Sequence, residues 1–312
     1  MSYLEVKDLK VHFPIKGGVL GRTIDYVKAV DGVSFSVEEG MTYGLIGESG
    51  SGKTTTGRAI IGLNRITDGQ VLYNGEDITN QRGRRQNFRR EVQMIFQDPY
   101  SSLNPRKRVY DILKEPLRNF EKLSREEERK KIEELLELVG LSRESIHKYP
   151  HQFSGGQRQR IGIARAVATK PKLIIADEPV SALDVSVQAQ VLNFMQEIQE
   201  ELGLTYIFIG HDLGVIRHLC DRIGIMYKGR FVEEGDTEDI FNNPQHIYTK
   251  KLISSIPDID PRNRDKQFRL RKEVEKEYEK SYKKYFDEDG LAFPLRPISD
   301  THYVALPNEE GY

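Results

Sequence analysis

Short, mostly apolar runs alternate with amphipathic stretches through much of this chain of 312 residues. Apolar runs of four or five residues between turn signals are typical of buried strands, and an apolar repeat every three or four positions is typical of helices. The pattern predicts strands at 43–46, 173–176, 205–209 and 223–227, and a helix over about 187–202. Strands that alternate with helices favour an α/β fold with a parallel-sheet core.

The beginning of the chain follows another pattern. Residues 3–37 alternate enough to predict short antiparallel strands around a glycine-rich loop at 17–21. Residues 71–73, followed by Asn74-Gly75, add a hairpin-like turn to this part. We therefore expect an antiparallel β portion at the N-terminus.

The middle of the chain, about residues 105–168, has a helical pattern. Its clearest helix begins at Ser124, has Glu127 three positions later as in a capping box, and ends at Gly140. One face of that helix carries Ile132, Leu135, Leu136 and Val139. We expect an inserted helical subdomain, placed at about 100–168.

Composition limits the possible classes of protein. With 38% apolar and 30% charged residues, the chain can bury a full core and form one main domain with an appendage. The net charge of −1 gives no basis for bulk nucleic-acid binding, and we interpret the basic run 82–90 as a solvated surface. One cysteine excludes an internal disulfide, and no run reaches the roughly 20 apolar residues of a membrane span.

Three segments carry the candidate chemistry, and the first follows the predicted strand 43–46. It has the pattern of a phosphate-binding loop: Gly, four residues, Gly, Lys, then Ser or Thr. Its glycines let backbone amides point at phosphate oxygens, while the next helix directs its positive N-terminus at the same anion. The segment consists of Gly47, Glu48, Ser49, Gly50, Ser51, Gly52, Lys53, Thr54 and Thr55. We expect Lys53 to neutralise the terminal phosphates and Thr54 to offer its hydroxyl to Mg²⁺.

The second segment consists of two carboxylates at the end of the predicted strand 173–176. Asp177 and Glu178 stand where the strand leaves the sheet, and adjacent carboxylates rarely serve packing there. We expect Asp177 to hold the metal, directly or through water, and Glu178 to orient and polarise the attacking water as a general base.

The third segment is Ser154-Gly155-Gly156-Gln157, at the beginning of a helix that carries Ile161, Ala164 and Val167 on its apolar stripe. With these three segments in the chain order 47–55, 154–157 and 177–178, the chain resembles the ATP-binding subunit of an ABC transporter over about residues 3–256. The resemblance implies the ABC-type phosphate-loop ATPase fold, with ATP and Mg²⁺ as ligands. It also implies that the Ser154 segment binds the γ-phosphate of an ATP held by the opposite subunit.

Further positions match the family one by one. Gln97 corresponds to the glutamine whose loop senses the γ-phosphate, binds the metal and contacts the membrane subunits. Asp184 lies in the loop that crosses the dimer seam, and His211 corresponds to the switch histidine. The resemblance also implies an aromatic residue stacked on adenine. Phe13 is our choice, Tyr26 remains a rival, and both are equally compatible with core or hairpin positions.

The stretches 97–106, 177–188 and 244–249 resemble the oligopeptide and dipeptide importers more narrowly. Many such ATPases carry a C-terminal cysteine cluster for an iron–sulfur centre, which the single Cys220 excludes here. The stretch 296–304 resembles the cysteine-free tails of OppF- and AmiF-type subunits of Gram-positive bacteria.

The resemblance implies a set of partners: a second homologous ATPase in a heterodimer, two integral membrane permease subunits and an extracellular peptide-binding protein. The chain would then be peripheral, at the cytoplasmic face of the membrane. Two alternatives stay open: the ATPase of a nickel or other small-solute importer, and, more distantly, a soluble ABC ATPase of translation or DNA repair. The substrate itself cannot be predicted, because the ATPase does not touch it.

We predict two domains, an ABC ATPase domain at 1–256 and a charged extension at 257–312. Within the extension an apolar residue recurs every fourth position, at Leu270, Val274, Tyr278, Tyr282 and Phe286. This spacing predicts a helix lying across a surface or a partner. Disorder of the free subunit is the alternative.

Overall fold

The structure is a computed structural model that describes residues 2–17, 21–79, 85–98, 100, 102–256 and 261–307. Among these residues the strands are β1 (Leu4–Gly17), β2 (Arg22–Val37), β3 (Thr42–Ile46), β4 (Asp68–Tyr73), β5 (Glu76–Asp77), β6 (Val92–Ile95), β7 (Leu173–Asp177), β8 (Thr205–Gly210), β9 (Arg222–Tyr227), β10 (Arg230–Asp236), β11 (Leu295–Pro297) and β12 (Tyr303–Ala305).

The helices of the same residues are α1 (Lys53–Ile60), α2 (Arg85–Glu91), α3 (Val109–Phe120), α4 (Arg125–Leu138), α5 (Gly155–Val167), α6 (Val185–Leu202), α7 (Leu213–Leu219), α8 (Thr237–Asn242), α9 (Ile247–Ser254) and α10 (Arg264–Tyr285). Short 3₁₀ turns lie at Arg143–His147, Pro150–Gln152 and Pro261–Asn263.

The chain forms two compact units. The first unit contains the described residues up to 79 and from 208 onwards, and the second contains those from 85 to 207. The predicted boundary between 256 and 257 stays a prediction. Residues 208–256 and 261–307 belong to the same unit, and residues 257–260 lie outside the described part.

The first unit contains two sets of paired strands. One is an antiparallel sheet in the order β2-β1-β4-β5, which confirms the antiparallel portion predicted at the N-terminus. The strands are longer than predicted, because β1 and β2 have 14 and 16 residues and pair over almost their whole length. Residues 18–20 of the predicted loop lie outside the described residues.

The other set joins β3 in parallel to β9 and continues antiparallel through β10, β12 and β11. Every residue of β3 is buried, as expected for a strand with a mostly apolar sequence and neighbours on both faces. Register pairs Ile46 with Ile225, so the carboxyl ends of β3 and β9 lie side by side. The loop after Ile46 therefore begins beside the end of β9.

The second unit pairs β6 in parallel with β7 and holds the helices α2 to α6. The predicted helix after Ser124 is confirmed as α4, with Ser124 and Glu127 forming both bonds of a capping box. Ile132, Leu136 and Val139 of its apolar face are buried, and Leu135 is half-buried. The predicted strand 173–176 and helix 187–202 are confirmed as β7 and α6.

The segment with an apolar residue at every fourth position forms a helix as predicted. This helix, α10, packs against α9. Leu270, near its beginning, is half exposed, whereas Phe286 is buried just after the last helical residue. The tail then pairs with a strand of the same unit, where Glu233 of β10 is opposite Val304 of β12. His302 and Glu233 are both buried and lie 2.7 Å apart, Nε2 to Oε1.

Candidate functional site

The phosphate loop lies in the first unit, between the buried strand β3 and helix α1. Gly47, Gly50 and Gly52 have φ values of 152°, 82° and 108°, a region that disfavours residues with a side chain. A Cβ at Gly47 would collide with the carbonyl oxygen of Met226, and one at Gly52 with that of Ala29. Gly47 and Gly52 are therefore required for the backbone to turn so close to β9 and β2.

Lys53 is the first residue of α1 and is buried. Its Nζ donates to the carbonyl oxygen of Gly47 at 2.7 Å and to that of Glu48 at 2.9 Å. A buried ammonium needs such acceptors, because removing a charge from water is costly. These two hydrogen bonds hold the ammonium of Lys53 against the phosphate loop, where we expect it to neutralise the phosphates.

The rest of the loop offers donors for an anion. Ser51 is buried, and its Oγ has no hydrogen-bond partner within the protein. Ser49 and Gly50 are exposed, while Thr54 and Thr55 on the first turn of α1 are half-buried. A buried hydroxyl without a partner is costly, so its presence beside a glycine cradle fits a loop that receives phosphate oxygens.

The predicted switch histidine, His211, also belongs to the first unit. His211 follows β8 directly and is exposed. Asp212 caps the next helix, α7, where its Oδ1 accepts from the N–H of Gly214 at 2.9 Å and from that of Val215 at 3.3 Å. The cap holds the chain in a defined conformation immediately after the histidine.

The two candidates for adenine stacking occupy the same hairpin. In the pairing of β1 with β2, Phe13 is opposite Val27 and Pro14 is opposite Tyr26. Because neighbouring residues of a strand point to opposite faces, the rings of Phe13 and Tyr26 belong to opposite faces of the hairpin. Both are exposed, by 42% and 52%, so neither is a core residue.

The second unit holds the predicted acidic residues and Gln97. Asp177 is the last residue of β7 and is fully buried, and Glu178 follows it half-buried. Gln97 comes two residues after β6, which pairs in parallel with β7. Parallel strands bring their carboxyl ends to one edge, and there Nε2 of Gln97 donates to Oε2 of Glu178 at 2.8 Å.

Glu178 has a φ of 45°, which is uncommon for a residue with a side chain. The turn that holds it is closed by Ser181, whose N–H and hydroxyl both donate to the carbonyl oxygen of Glu178, at 3.3 and 3.1 Å. Strained backbone of this kind persists where neighbours hold it, and it is frequent at functional sites.

The Ser154 segment forms the N-terminus of α5. Oγ of Ser154 accepts from the N–H of Gln157 at 3.3 Å, and Oε1 of Gln157 accepts from the N–H of Ser154 at 3.0 Å, which makes a capping box. Ser154 and Gln157 are exposed. At the start of the helix, Ser154 and Gln157 thus face solvent, and the cap orients the serine.

The glycines of that segment also serve packing inside the second unit. A Cβ at Gly156 would lie 2.5 Å from Cγ1 of Val187 in α6, and one at Gly155 would lie 3.1 Å from Cδ2 of Leu183. Asp184, between these two neighbours, is the exposed N-cap residue of α6. The loop around Asp184 and the Ser154 segment therefore pack together within one chain.

Some contacts of this region were missed by sequence reasoning. The guanidinium of Arg158 lies 4.4 Å from the ring centroid of Tyr100, and Nη1 of Arg165 donates to the carbonyl oxygen of Ser102 at 2.6 Å. Both arginines belong to α5, and both partners follow Gln97 in sequence. In the sequence, the stretch 97–106 is the signal for this region, because it contains both Tyr100 and Ser102. Its Pro99 and Ser101 lie outside the described residues.

A glycine-rich loop between a strand and a helix, with carboxylates after a parallel strand, defines a phosphate-loop ATPase cassette. The fold is that of the ABC ATPases. The dimeric post-hydrolysis ATP-binding cassette MJ0796, bound to ADP and Pi, superimposes with a TM-score of 0.66 and 28% identity, over 75% of this chain and 98% of that one. The cbiO1 protein from Clostridium perfringens, part of the ABC transporter complex cbiONQ, gives 0.67 and 26%, over 80% and 95%.

Residues 30–181 match the family described as ABC transporter, and residues 232–288 match the oligopeptide/dipeptide transporter C-terminal region. The chain belongs to the oligopeptide and dipeptide branch of the ABC transporter ATP-binding subunits. It is 56% identical to the oligopeptide transport ATP-binding protein OppF of Lactococcus lactis, over 97% of this chain and 96% of that protein. It is 49% identical to the dipeptide transport protein DppF of Escherichia coli, over 87% and 81%.

In the part of the chain that the structure describes, helices long and apolar enough to cross a membrane are absent.

Proposed function

We propose that this chain is an ATP-hydrolysing subunit that energises the import of oligopeptides through a membrane permease. The observation that carries the proposal is the similarity to an oligopeptide transport ATP-binding protein over nearly the full length of both chains. The match of residues 232–288 to the oligopeptide/dipeptide transporter C-terminal region supports the same substrate class.

ATP would be held by the phosphate loop. The glycine turn, the buried Oγ of Ser51 and the ammonium of Lys53 suit the phosphate chain of a nucleotide. On binding, the ammonium of Lys53 would donate to phosphate oxygens, which carry a full negative charge. The base would stack on one face of the β1–β2 hairpin, on Phe13 in our assignment and on Tyr26 in the alternative.

Hydrolysis would depend on Glu178. Its carboxylate would accept a proton from the attacking water, and Gln97, which already contacts it, would orient that water or the carboxylate. Thr54, Gln97 and Asp177 supply the oxygen donors that Mg²⁺ prefers, and we assign them as its ligands. When bound, Mg²⁺ would neutralise phosphate charge.

We assign the first turn of α5, with Ser154, Gly155, Gly156 and Gln157, to an ATP held by a second ATPase subunit. Helix N-termini favour anions, and the capping box leaves the serine hydroxyl proton available to an acceptor beyond the helix. Asp184 would lie at the seam between the subunits and His211 would contact the γ-phosphate. The partner ATPase is a different chain in our proposal, which makes a heterodimer.

Two permease subunits and an extracellular peptide-binding protein would complete the assembly, with this chain peripheral at the cytoplasmic face of the membrane. We retain residues 1–256 as the ATPase domain, with its helical subdomain at about 100–168, and 257–312 as a C-terminal extension of that domain. No nucleic acid has a role in this proposal.

The test is affinity purification of the tagged chain from native membranes solubilised in detergent, followed by mass spectrometry. We expect two permeases, a second ATPase and a peptide-binding receptor. Recovery of a metal-binding receptor in place of the peptide receptor would overturn the substrate class. Recovery of ribosomes or DNA-repair factors without membrane proteins would overturn the transport function.

A further inference from the structure

A column of aromatic rings runs through the first unit towards the phosphate loop. It consists of Tyr248, Tyr227, Phe286 and Tyr282. Ring centroids lie 4.8 Å apart for Tyr248 and Tyr227, 4.9 Å for Tyr227 and Phe286, and 4.4 Å for Phe286 and Tyr282. Three of the four belong to the C-terminal region matched at 232–288. The column therefore connects that region to the segment at the end of β9.

Tyr248 ends the column at the phosphate loop. It is buried, with 1% of its surface exposed, and burial raises the pKa of its hydroxyl, which therefore stays protonated. Its hydroxyl oxygen accepts from the N–H of Glu48 at 3.3 Å. The two residues are 200 positions apart in sequence, and this bond ties the C-terminal region to the second residue of the loop.

The N–H of Glu48 and the carbonyl of Gly47 belong to the same peptide group. That carbonyl accepts from Nζ of Lys53 at 2.7 Å. Because the N–H and C=O of a planar trans peptide point in opposite directions, a partner on the N–H also sets the direction of the carbonyl. One peptide is thus held between the hydroxyl of Tyr248 and the ammonium of Lys53.

This peptide needs an external partner to hold its orientation. Gly47 has a φ of 152° and lacks the side chain that restricts rotation in other residues. The side chain of Glu48 is exposed, so in the absence of Tyr248 its N–H would exchange partners with water. The aromatic column holds Tyr248 rigidly, since packed rings in a core have few alternative rotamers.

We propose that Tyr248 is a positioning residue for the phosphate loop, which holds the Gly47–Glu48 peptide so that Lys53 is aligned for the phosphates. The proposal rests on the assignment of ATP to this loop. It gives the C-terminal region a role in nucleotide binding, because Tyr248 lies in that region. Tyr227 of β9 packs on the ring of Tyr248 and is itself packed against Phe286, just after the end of α10. A shift of α10 would then be transmitted to the loop as a change in ATP affinity.

The test is a Tyr248→Phe variant of the full chain, with Tyr282→Phe as its matched control. Each removes one hydroxyl from the same column; that of Tyr282 lies 3.4 Å from the hydroxyl of Tyr227. The measurements are the Kd for a fluorescent ATP analogue in the presence of Mg²⁺, the KM and kcat of hydrolysis with the partner ATPase, and the thermal midpoint without nucleotide.

We expect Tyr248→Phe to raise Kd and KM roughly twofold to tenfold, the range of one lost hydrogen bond, with kcat and thermal midpoint close to wild type. Tyr282→Phe should leave Kd unchanged. Equal Kd values for wild type and Tyr248→Phe, or equal weakening by both variants, would overturn the proposal. A wild-type chain that binds no ATP would instead refute the proposed function itself.

Amide hydrogen exchange at Glu48 in the nucleotide-free wild-type chain provides a measurement that needs no variant. We expect slow exchange of this amide although its side chain is exposed, because its N–H is bonded to a buried hydroxyl. Exchange as fast as in an unstructured peptide would show that Tyr248 does not hold it.

Discussion

At the scale of single residues, Glu178 combines an unusual backbone with the chemistry assigned to it. Its φ of 45° costs of order 1 kcal/mol, and the bonds from Ser181 to its carbonyl oxygen stabilise the turn. The conformation directs the carboxylate to the amide of Gln97, 2.8 Å away.

We expect Glu178→Gln to lower ATP turnover by roughly 100-fold or more, because an amide cannot accept the proton of the attacking water. Binding of ATP should persist, since the amide keeps an oxygen to accept from Gln97. With the partner ATPase present, phosphate release measures the turnover and nucleotide affinity measures the binding. Glu200→Gln, at an exposed position of α6, is the matched control. Turnover within a few-fold of wild type would remove Glu178 from the role of base.

Gly156 provides a prediction on stability. An alanine there would place its Cβ 2.5 Å from the Cγ1 of Val187, a side chain with little freedom to move aside. We expect Gly156→Ala to lower the free energy of unfolding by about 1–3 kcal/mol, measured by urea denaturation.

The same helix offers the matched control for Gly156. A Cβ at Gly162 would meet nothing within 4 Å, so Gly162→Ala should be neutral or should stabilise by roughly 0.5–1 kcal/mol. Adding Val187→Ala to Gly156→Ala should recover part of the loss. If Gly156→Ala is as stable as Gly162→Ala, the packing against Val187 does not limit this position.

At the scale of elements, the N-terminal caps of the helices are the features that the local sequence predicts best. Ser124 and Ser154 both form capping boxes, with Glu127 and Gln157 as the returning residues. Both helix starts followed from the sequence, because a cap involves residues only three positions apart. The cap of α9 is less usual, since His246 accepts the N–H of Tyr248 on its Nδ1 at 3.2 Å.

Burial lowers the pKa of His246 from 6.5 to about 3, so the folded chain keeps it neutral. Between these values the unfolded chain binds a proton that the folded chain does not. The contribution of neutral His246 to the free energy of unfolding is therefore fully present above about pH 6.5. Below that pH the contribution falls by about 1.4 kcal/mol for each pH unit.

We expect His246→Asn, which retains a capping oxygen, to flatten this dependence. Chemical denaturation at about pH 7.5, pH 6 and pH 5 should show the wild type losing about 1 kcal/mol more than the variant between the last two conditions. Parallel curves for the two proteins would mean that His246 does not titrate in this window.

At the scale of the whole molecule, the exposed Ser154 leads us to expect that function requires a second ATPase cassette. We expect the isolated chain to release phosphate slowly, and a mixture with its partner ATPase to be roughly tenfold faster or more, because donors at the γ-phosphate act on charge in the transition state. Comparable rates per chain, alone and mixed, would contradict the shared sites.

Two matched variants separate the γ-phosphate role of Ser154 from its capping role. Ser154→Ala and Ser124→Ala both remove a capping box from a helix of the second unit, at a cost of about 1 kcal/mol each. Only Ser154→Ala should lower the rate of the mixture. An equal loss for both would assign the effect to stability alone.

The sequence by itself determined the features that depend on near neighbours: the glycine pattern of the phosphate loop, the apolar strands, the caps of α4 and α5, and the periodicity of α10. Tertiary structure decided which distant groups meet. Gln97 reaches Glu178 across 81 positions because β6 and β7 pair in parallel, and Tyr248 reaches Glu48 across 200. Strand pairing and core packing are collective, so the local pattern does not specify which partners they bring together.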